Sequence, residues 1–255
     1  MKLQERLIDP VIHTNRHFIR ECRRIDTNKS AFESDSPSPP YLLVPPCIQI
    51  ELIVKMPFTA VLLAGGQSRR MGRDKAFLPV EWEGKSVPLW DRQLSVLKAL
   101  APAELLISGP RKQGYPESVP AYADEWHGAG PLGGIATCLG RMNNGFLLVL
   151  AIDLPRVQPS FMEGLVALTE AGCGVVPSVN DRYEPLLAVY PKAALELAVA
   201  QLRKRAYVLQ QFVKLLVELR LVIGYEVETG DQPQLDNWNE PRDLSNPRHK
   251  GPAGF

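Results

Sequence analysis

The segment from Leu63 to Lys75 concentrates the residue types that bind phosphate. It contains the adjacent glycines Gly65 and Gly66, and then four basic residues within seven positions: Arg69, Arg70, Arg73 and Lys75. Adjacent glycines let backbone N–H groups approach an anion, because no Cβ is in the way. The preceding apolar run, Thr59–Ala64, predicts a buried strand that ends at this loop. Together these features predict a phosphate-binding loop, and a triphosphate is the ligand that this much positive charge favours.

The loop belongs to neither of two common nucleotide-binding types. No Lys-Ser or Lys-Thr pair follows Gly72, so it is not a Walker A loop. The spacing also differs from G-x-G-x-x-G, which removes the main support for a dinucleotide site. A solvated basic turn is the plain alternative. The buried strand before the loop, the second glycine and the terminal lysine favour the phosphate-binding interpretation.

Asp153 is the candidate metal ligand. It follows Phe146–Ile152, seven apolar residues in a row, which predicts a strand covered on both faces. Mg²⁺ is usually held by one or two carboxylates together with phosphate oxygens and waters. A carboxylate at the end of this strand therefore predicts a magnesium ligand. The alternative is an aspartate that only starts a turn before Leu154-Pro155.

Asp124 lies just before a second glycine-rich segment, Gly128–Ile135, which predicts the start of a helix. Gly130, Gly133 and Gly134 would permit close approach of that helix to a nucleotide, or would serve helix–sheet packing alone. On sequence alone a loop aspartate such as Asp124 is more often solvated. His127 is interpreted as a surface histidine, because no partner for general-base catalysis is visible.

The remaining chain alternates between strand and helix signals. Pro88–Leu100 places apolar residues on one helical face. Ser160 and Glu163 resemble a capping box that begins a helix ending near Gly172. Further predicted elements are strands at Leu105–Ser108, Leu186–Tyr190 and Leu221–Glu228, and a largely helical stretch at Lys192–Leu219. The pattern predicts an α/β fold, a single Rossmann-like domain with a mostly parallel sheet and helices on both faces.

Composition excludes several classes of function. The formal net charge of +1 gives no basic excess for a nucleic-acid surface. The four cysteines form no C-x-x-C pair, which suits neither a zinc site nor a disulfide framework and fits a reducing compartment. No apolar run reaches the roughly 18 residues that a membrane helix needs. We therefore expect a cytoplasmic protein without nucleic-acid or membrane partners.

The string G-G-Q-S-R-R-M-G-R-D-K, at Gly65–Lys75, resembles the signature of the MobA family, the molybdenum cofactor guanylyltransferases. The wider group of nucleotidyltransferases carries L-A-G/A-G-x-x-x-R-M-G-x-x-K. Other segments that resemble the family are Gly130–Gly134, Asp153–Pro155, Tyr183–Tyr190 and Asn237–Leu244. The resemblance covers about Met56 to Leu244.

The resemblance implies transfer of GMP from GTP to the phosphate of Mo-molybdopterin, with Mg²⁺ as the cofactor. It implies that Lys75 and Asp153 are catalytic, that Asp153 holds the metal, and that Asn237 and Asn239 face the acceptor, although Asn239 is also suited to capping a short helix. The implied nucleotide-binding residues are Leu63, Ala64, Gly65, Gly66, Arg70, Lys75, Asp124 and Asp153. Other molybdenum-cofactor biosynthesis proteins and molybdoenzyme chaperones are expected partners. Some relatives have at the position of Ser108 an Asn that contacts the nucleotide; serine is shorter, so that role is not transferred.

Three other functions stay open at this point. A related nucleotidyltransferase could use the same loop with CTP or with a sugar-phosphate acceptor. A nucleotide-hydrolysing P-loop protein is disfavoured by the missing Lys-Ser or Lys-Thr. A non-catalytic nucleotide-binding regulator would be expected to have lost Lys75 or Asp153, and this chain has both.

The domain boundaries follow from composition. Residues 1–55 carry mixed charge and a Ser/Pro-rich stretch, and we expect a disordered N-terminal extension. We hypothesise that Met56 is the biological start and that the extension is not translated natively. Residues 56–246 are predicted to form the nucleotidyltransferase domain, and residues 247–255 a flexible tail.

Overall fold

A computed structural model describes residues 56–65 and 74–238 of the chain. The predictions for the N-terminal extension, for the C-terminal tail, and for Gly66, Arg70 and Asn239 lie outside these residues. The described residues build one α/β domain, within the unit Ile53–Phe255.

Eight of the ten strands in the described residues form one sheet, and the other two form a separate hairpin. The strands are β1 Phe58–Leu63, β2 Pro79–Trp82, β3 Lys85–Pro88, β4 Glu104–Ser108, β5 Ala121–Tyr122, β6 Phe146–Ala151, β7 Gly174–Val179, β8 Arg182–Tyr183, β9 Leu187–Pro191 and β10 Val222–Glu226. The sheet order is β10-β7-β9-β6-β1-β4-β5, with β8 paired to β7, while β2 and β3 form the hairpin. The pairs β1–β4, β1–β6, β4–β5 and β7–β10 are parallel. Strand β9 runs antiparallel to β6 and β7, so the sheet is mixed but mostly parallel.

The helices cover both faces of this sheet. They are α1 Leu89–Ala99, α2 Pro131–Arg141, α3 Pro159–Ala167, α4 Ala194–Arg203 and α5 Leu209–Glu218. Apolar side chains of α1 and α3 belong to one hydrophobic core, and those of α2, α4 and α5 belong to the other. Strands β1 and β6 are buried along their whole lengths between these cores, as their mostly apolar sequences predict. The predicted fold class is confirmed. None of the helices in the described residues has the length and apolar content to cross a bilayer.

One helix prediction was wrong in detail. Helix α3 has no capping box: it begins at Pro159 after Gln158, so Ser160 lies inside the first turn, and it ends at Ala167 rather than near Gly172. Proline at the first helical position has a suitable φ and lacks only an N–H that would have no helical partner, which explains this start. The stretch Lys192–Leu219, which was predicted to be largely helical, contains two helices, α4 and α5, separated at residues 204–208, and that prediction is confirmed. Arg205, with a φ of 55°, stands in that break in the left-handed region, which a continuous helix does not visit.

Candidate functional site

The carboxyl ends of β1, β4 and β6 are tied together beyond the last paired residues of the strands. The Ala64 N–H donates to the Ser108 carbonyl at 3.0 Å, and the Ile152 N–H donates to the Leu63 carbonyl at 3.1 Å. The three strands therefore deliver their following loops to one point at the edge of the sheet. This is the edge at which open α/β sheets bind ligands.

A close backbone approach lies at this edge. Gly109 has a φ of +124°, and a Cβ added there would be 2.9 Å from the Cα and N of Gly65. Both the conformation and the contact require glycine at position 109. Its partner, Gly65, is distant in sequence, so this requirement could not be identified from the local pattern.

A cavity of about 500 Å³ opens at the same edge. Residues from five segments line it, among them Leu63, Gly65, Ser108, Asp124, Gly134 and Asp153. The structure thus brings the predicted nucleotide-binding residues Leu63, Gly65, Asp124 and Asp153 around one space. Ala64 is buried beside them, and its carbonyl accepts a hydrogen bond from Lys112 Nζ at 3.1 Å.

Asp124 is held in the cavity wall by a hydroxyl group. Ser108 Oγ donates to Asp124 Oδ1 at 3.0 Å. Burial raises the pKa of Asp124, whereas the Ser108 hydrogen bond and the nearby His127 lower it. A Cβ at Gly134 would collide with Ser108 Oγ and would lie 3.2 Å from Asp124 Oδ1. Gly134 is therefore needed for this arrangement, which was predicted only as a general close approach.

Lys75 forms an ion pair with Asp153, which lines the cavity. Lys75 Nζ lies 3.4 Å from Asp153 Oδ2, and the two side chains are 14% and 20% exposed. This separation exceeds the about 2.7–2.9 Å of a strong charge-assisted hydrogen bond, so the pair is a loose one. Lys75 begins a short 3-10 helix, Lys75–Phe77, whose first turn is capped by Asp74 Oδ1 accepting from the Ala76 N–H at 3.1 Å.

The other carboxylate oxygen of Asp153 fits a metal ligand. Asp153 Oδ1 is buried, and within the described residues it has no hydrogen-bond partner. A buried carboxylate oxygen without a partner is costly, and coordination of a cation would remove that cost. Across residues 56–65 and 74–238, no group of three or more His, Cys, Asp or Glu side chains is arranged to hold a metal. A cation here would take Asp153 and substrate oxygens as ligands, a set that Mg²⁺ commonly uses.

Two buried polar residues support the loop that carries Asp153. Gln93 Nε2 donates to the carbonyls of Ala151 at 3.1 Å and Leu154 at 3.0 Å, on either side of Asp153. Arg92 Nη2 donates to the Val157 carbonyl at 2.7 Å. Sequence reasoning missed both residues. Gln93 is completely buried, and its position on the apolar face of α1, three residues after Trp90, was the available signal.

A second and larger cleft has a volume of about 930 Å³. Asn237 lines this cleft, and its side chain hydrogen-bonds Glu184, whose pKa is raised mainly by burial. The Trp238 N–H donates to the Asp153 carbonyl at 2.8 Å, so the segment carrying Asn237 is attached to the loop of Asp153. The structure therefore brings the predicted acceptor residue Asn237 next to Asp153, in a space distinct from the cavity of Asp124.

Comparison with known proteins gives consistent matches. Residues 60–219 match the family model described as the MobA-like NTP transferase domain. A probable molybdenum cofactor guanylyltransferase of Opitutus terrae is 34% identical over 193 residues, which cover 74% of this chain and 94% of that protein. A probable molybdenum cofactor guanylyltransferase of Bacillus subtilis is 33% identical over 151 residues, which cover 57% of this chain and 72% of that protein.

Solved structures agree with these matches. Molybdopterin-guanine dinucleotide biosynthesis protein A from Archaeoglobus fulgidus has a TM-score of 0.57 at 28% identity, covering 74% of this chain and 95% of that one. A nucleotidyl transferase from Methanothermobacter has a TM-score of 0.60 at 15% identity, covering 74% and 94%, and supports the fold alone.

Gly134→Ala tests whether the Ser108–Asp124 contact shapes the nucleotide site. The added Cβ should displace Ser108 Oγ and release Asp124, so we expect the Kd for GTP to rise about tenfold, or roughly 1.4 kcal/mol. Gly140→Ala is the matched control, because Gly140 lies in the same helix and a Cβ there would have nothing within 4 Å. Isothermal titration of both variants gives the comparison. Equal affinities of the two variants for GTP would mean that the Ser108–Asp124 hydrogen bond does not contribute to GTP binding.

Proposed function

We propose, since the chain belongs to the family of MobA-like NTP transferase domains, that it transfers GMP from GTP to the phosphate of Mo-molybdopterin, forming molybdopterin guanine dinucleotide and pyrophosphate. The resemblance in Gly65–Lys75 is thereby confirmed, and the chain is a nucleotidyltransferase.

The juxtaposition of Lys75 with Asp153 carries the proposal. Asp153, which contacts Lys75 at 3.4 Å, lines the cavity of Asp124, and its carbonyl accepts the N–H of Trp238, the residue after Asn237 of the cleft. A nucleotide in the cavity and an acceptor in the cleft would meet at this contact. The ammonium group of Lys75 and the carboxylate of Asp153 would then lie beside the phosphate groups of both substrates.

In the proposed reaction an oxygen of the acceptor's phosphate attacks the α-phosphorus of GTP. The bond from the α-phosphorus to the oxygen that bridges to the β-phosphate breaks, and pyrophosphate leaves with the electron pair. A phosphate monoester has a second pKa of about 6 and is already anionic at neutral pH, so no dedicated base is required. Lys75 would stabilise the charge that develops on the departing oxygens.

Asp153 is the residue that would hold Mg²⁺, through the carboxylate oxygen that lacks a hydrogen-bond partner among the described residues. Bound there, Mg²⁺ would supply Lewis-acid neutralisation of phosphate oxygens. Gln93 keeps the Asp153 loop in place through the Ala151 and Leu154 carbonyls.

The cleft could bind the acceptor, because it offers both basic and acidic side chains to a phosphorylated heterocycle. Arg156 and Arg182 line it together with Asn237 and Glu184. Guanidinium groups suit a phosphate, and a carboxylate suits ring N–H and amino donors. This composition supports an acceptor in the cleft, and Asn237 keeps the role predicted for it.

The direct test is incubation of the purified chain with Mg²⁺, Mo-molybdopterin and each labelled nucleoside triphosphate in turn. We expect a labelled dinucleotide with GTP and little product with ATP or CTP. A product formed only with CTP would reassign the chain to cytidylyl transfer. No product with any triphosphate, together with tight GTP binding, would favour a non-catalytic regulator.

Asp153→Asn should separate metal binding from folding. Asparagine keeps the side-chain shape but removes the charge, so we expect turnover to fall by roughly 10²-fold and half-maximal activity to need more Mg²⁺. The 3.4 Å pair with Lys75 is a weak contact, so we expect a loss of about 1 kcal/mol and a Tm shift of about 2–4 °C. Activity measured against Mg²⁺ concentration, with a melting curve, tests both. Normal activity at limiting Mg²⁺ would leave Asp153 as a turn residue only.

Lys75→Ala should act on the chemical step. If Lys75 contacts oxygens whose charge grows as pyrophosphate leaves, kcat should fall roughly 10²–10³-fold. Lys98→Ala is the control, because Lys98 is an exposed lysine at the far end of α1. Steady-state kinetics with GTP decide the point: a raised KM at unchanged kcat would indicate ground-state binding alone.

A further inference from the structure

Lys112, in the segment after β4, makes two contacts that connect distant parts of the active-site loop. Its Nζ donates to the Ala64 carbonyl at 3.1 Å and lies 2.8 Å from Asp74 Oδ2. Ala64 precedes, and Asp74 follows, the glycine- and arginine-rich stretch 66–73. One ammonium group therefore joins the two ends of that stretch, and its side chain is only 17% exposed.

Asp74 transmits this contact to Lys75. One carboxylate oxygen of Asp74 pairs with Lys112, while the other accepts the Ala76 N–H that begins the 3-10 helix Lys75–Phe77. The start of that helix is thus fixed relative to the end of β1. Lys75 is the first residue of the helix, and its ammonium faces Asp153.

We propose that Lys112 is a positioning residue for nucleotidyl transfer, and that it acts through Asp74 by holding the two ends of the glycine-rich loop at a set separation. That separation determines where Lys75 stands relative to Gly65 and Asp153. The proposal rests on the proposed function for its kinetic readout. Misplacement of a reacting group by about 1 Å can cost about 10²-fold in rate, so a contact of little importance to folding can matter greatly here.

Arg111 offers a matched control from the same segment. Its guanidinium donates to the Pro116 carbonyl at 3.2 Å and to the Val119 carbonyl at 2.6 Å. Both contacts stay within residues 111–119. Arg111→Met therefore removes a neighbouring cation of the same segment without removing either contact of Lys112.

The experiment compares Lys112→Met, Lys112→Arg, Arg111→Met and wild type in the full chain. We expect Lys112→Met to lower kcat roughly 10–10²-fold with a Tm within a few degrees of wild type. Lys112→Arg should recover part of the loss, because its guanidinium retains donors for both acceptors, and Arg111→Met should stay within about twofold of wild type.

A double-mutant cycle tests the route through Asp74. Asp74→Asn removes the negative charge, while the amide oxygen can still accept the Ala76 N–H. If Lys112 acts through Asp74, adding Lys112→Met to Asp74→Asn should lower kcat by less than about twofold further. Fully additive effects, with the Lys112 loss appearing as a raised KM for GTP, would mean direct phosphate binding and would overturn the proposal.

Limited trypsin digestion supplies a readout that does not depend on activity. Faster cleavage after Arg69, Arg70 and Arg73 in Lys112→Met, but not in Arg111→Met, is expected when the ends of the loop are released. Unchanged cleavage together with wild-type kcat would overturn the proposal. Wild-type chain that makes no dinucleotide would instead refute the proposed function, and the digestion would still decide whether Lys112 joins the loop ends.

Discussion

The in-register parallel pairing of β1 with its two neighbours is the constraint on which the site depends. Leu63 stands opposite both Ser108 of β4 and Ala151 of β6, so the three strands end at the same level. Whatever follows each strand must then meet at one point, and those residues include Gly65, Gly109 and Asp153. Because β1 and β6 are buried along their whole lengths, moving one loop relative to another would disturb the centre of the sheet. The site is preorganised by the same burial that stabilises the fold.

Close backbone approach at this edge requires glycine for different physical reasons at different positions. Gly109 has a left-handed φ and sits too close to Gly65 for any side chain. Gly134 lies in a helix with no positive φ, yet a Cβ there would meet the hydroxyl that holds Asp124. The first glycine brings two loops together, whereas the second preserves a hydrogen bond. The shape of the cavity wall therefore depends on the absence of a Cβ at Gly109 and Gly134 as well as on the carboxylate of Asp124.

The sequence was sufficient for the fold class and for the convergence of Asp153 with the glycine-rich loop, because apolar runs predict buried strands and parallel strands present their ends at one edge. It was insufficient for Gln93 and Lys112. Their roles depend on carbonyl groups 58 and 48 residues away along the chain, and local periodicity says nothing about such partners. The error in α3 has a different cause. Its start at Pro159 follows from local backbone geometry that competed successfully with a plausible side-chain pattern.

The two lysine–aspartate pairs near the loop differ in a way that suits different tasks. Lys112 contacts Asp74 at 2.8 Å and also donates to a backbone carbonyl, while Asp74 caps a helix start, so each partner is held by a second bond. Lys75 lies 3.4 Å from Asp153, too far for a strong hydrogen bond. At that length the pair is weak, so separating Lys75 from Asp153 costs little. The short contacts fix the two ends of the loop, whereas the long contact leaves Lys75 and Asp153 able to exchange partners. Under the proposed function, a tighter Lys75–Asp153 pair would oppose contact of the lysine with phosphate oxygens.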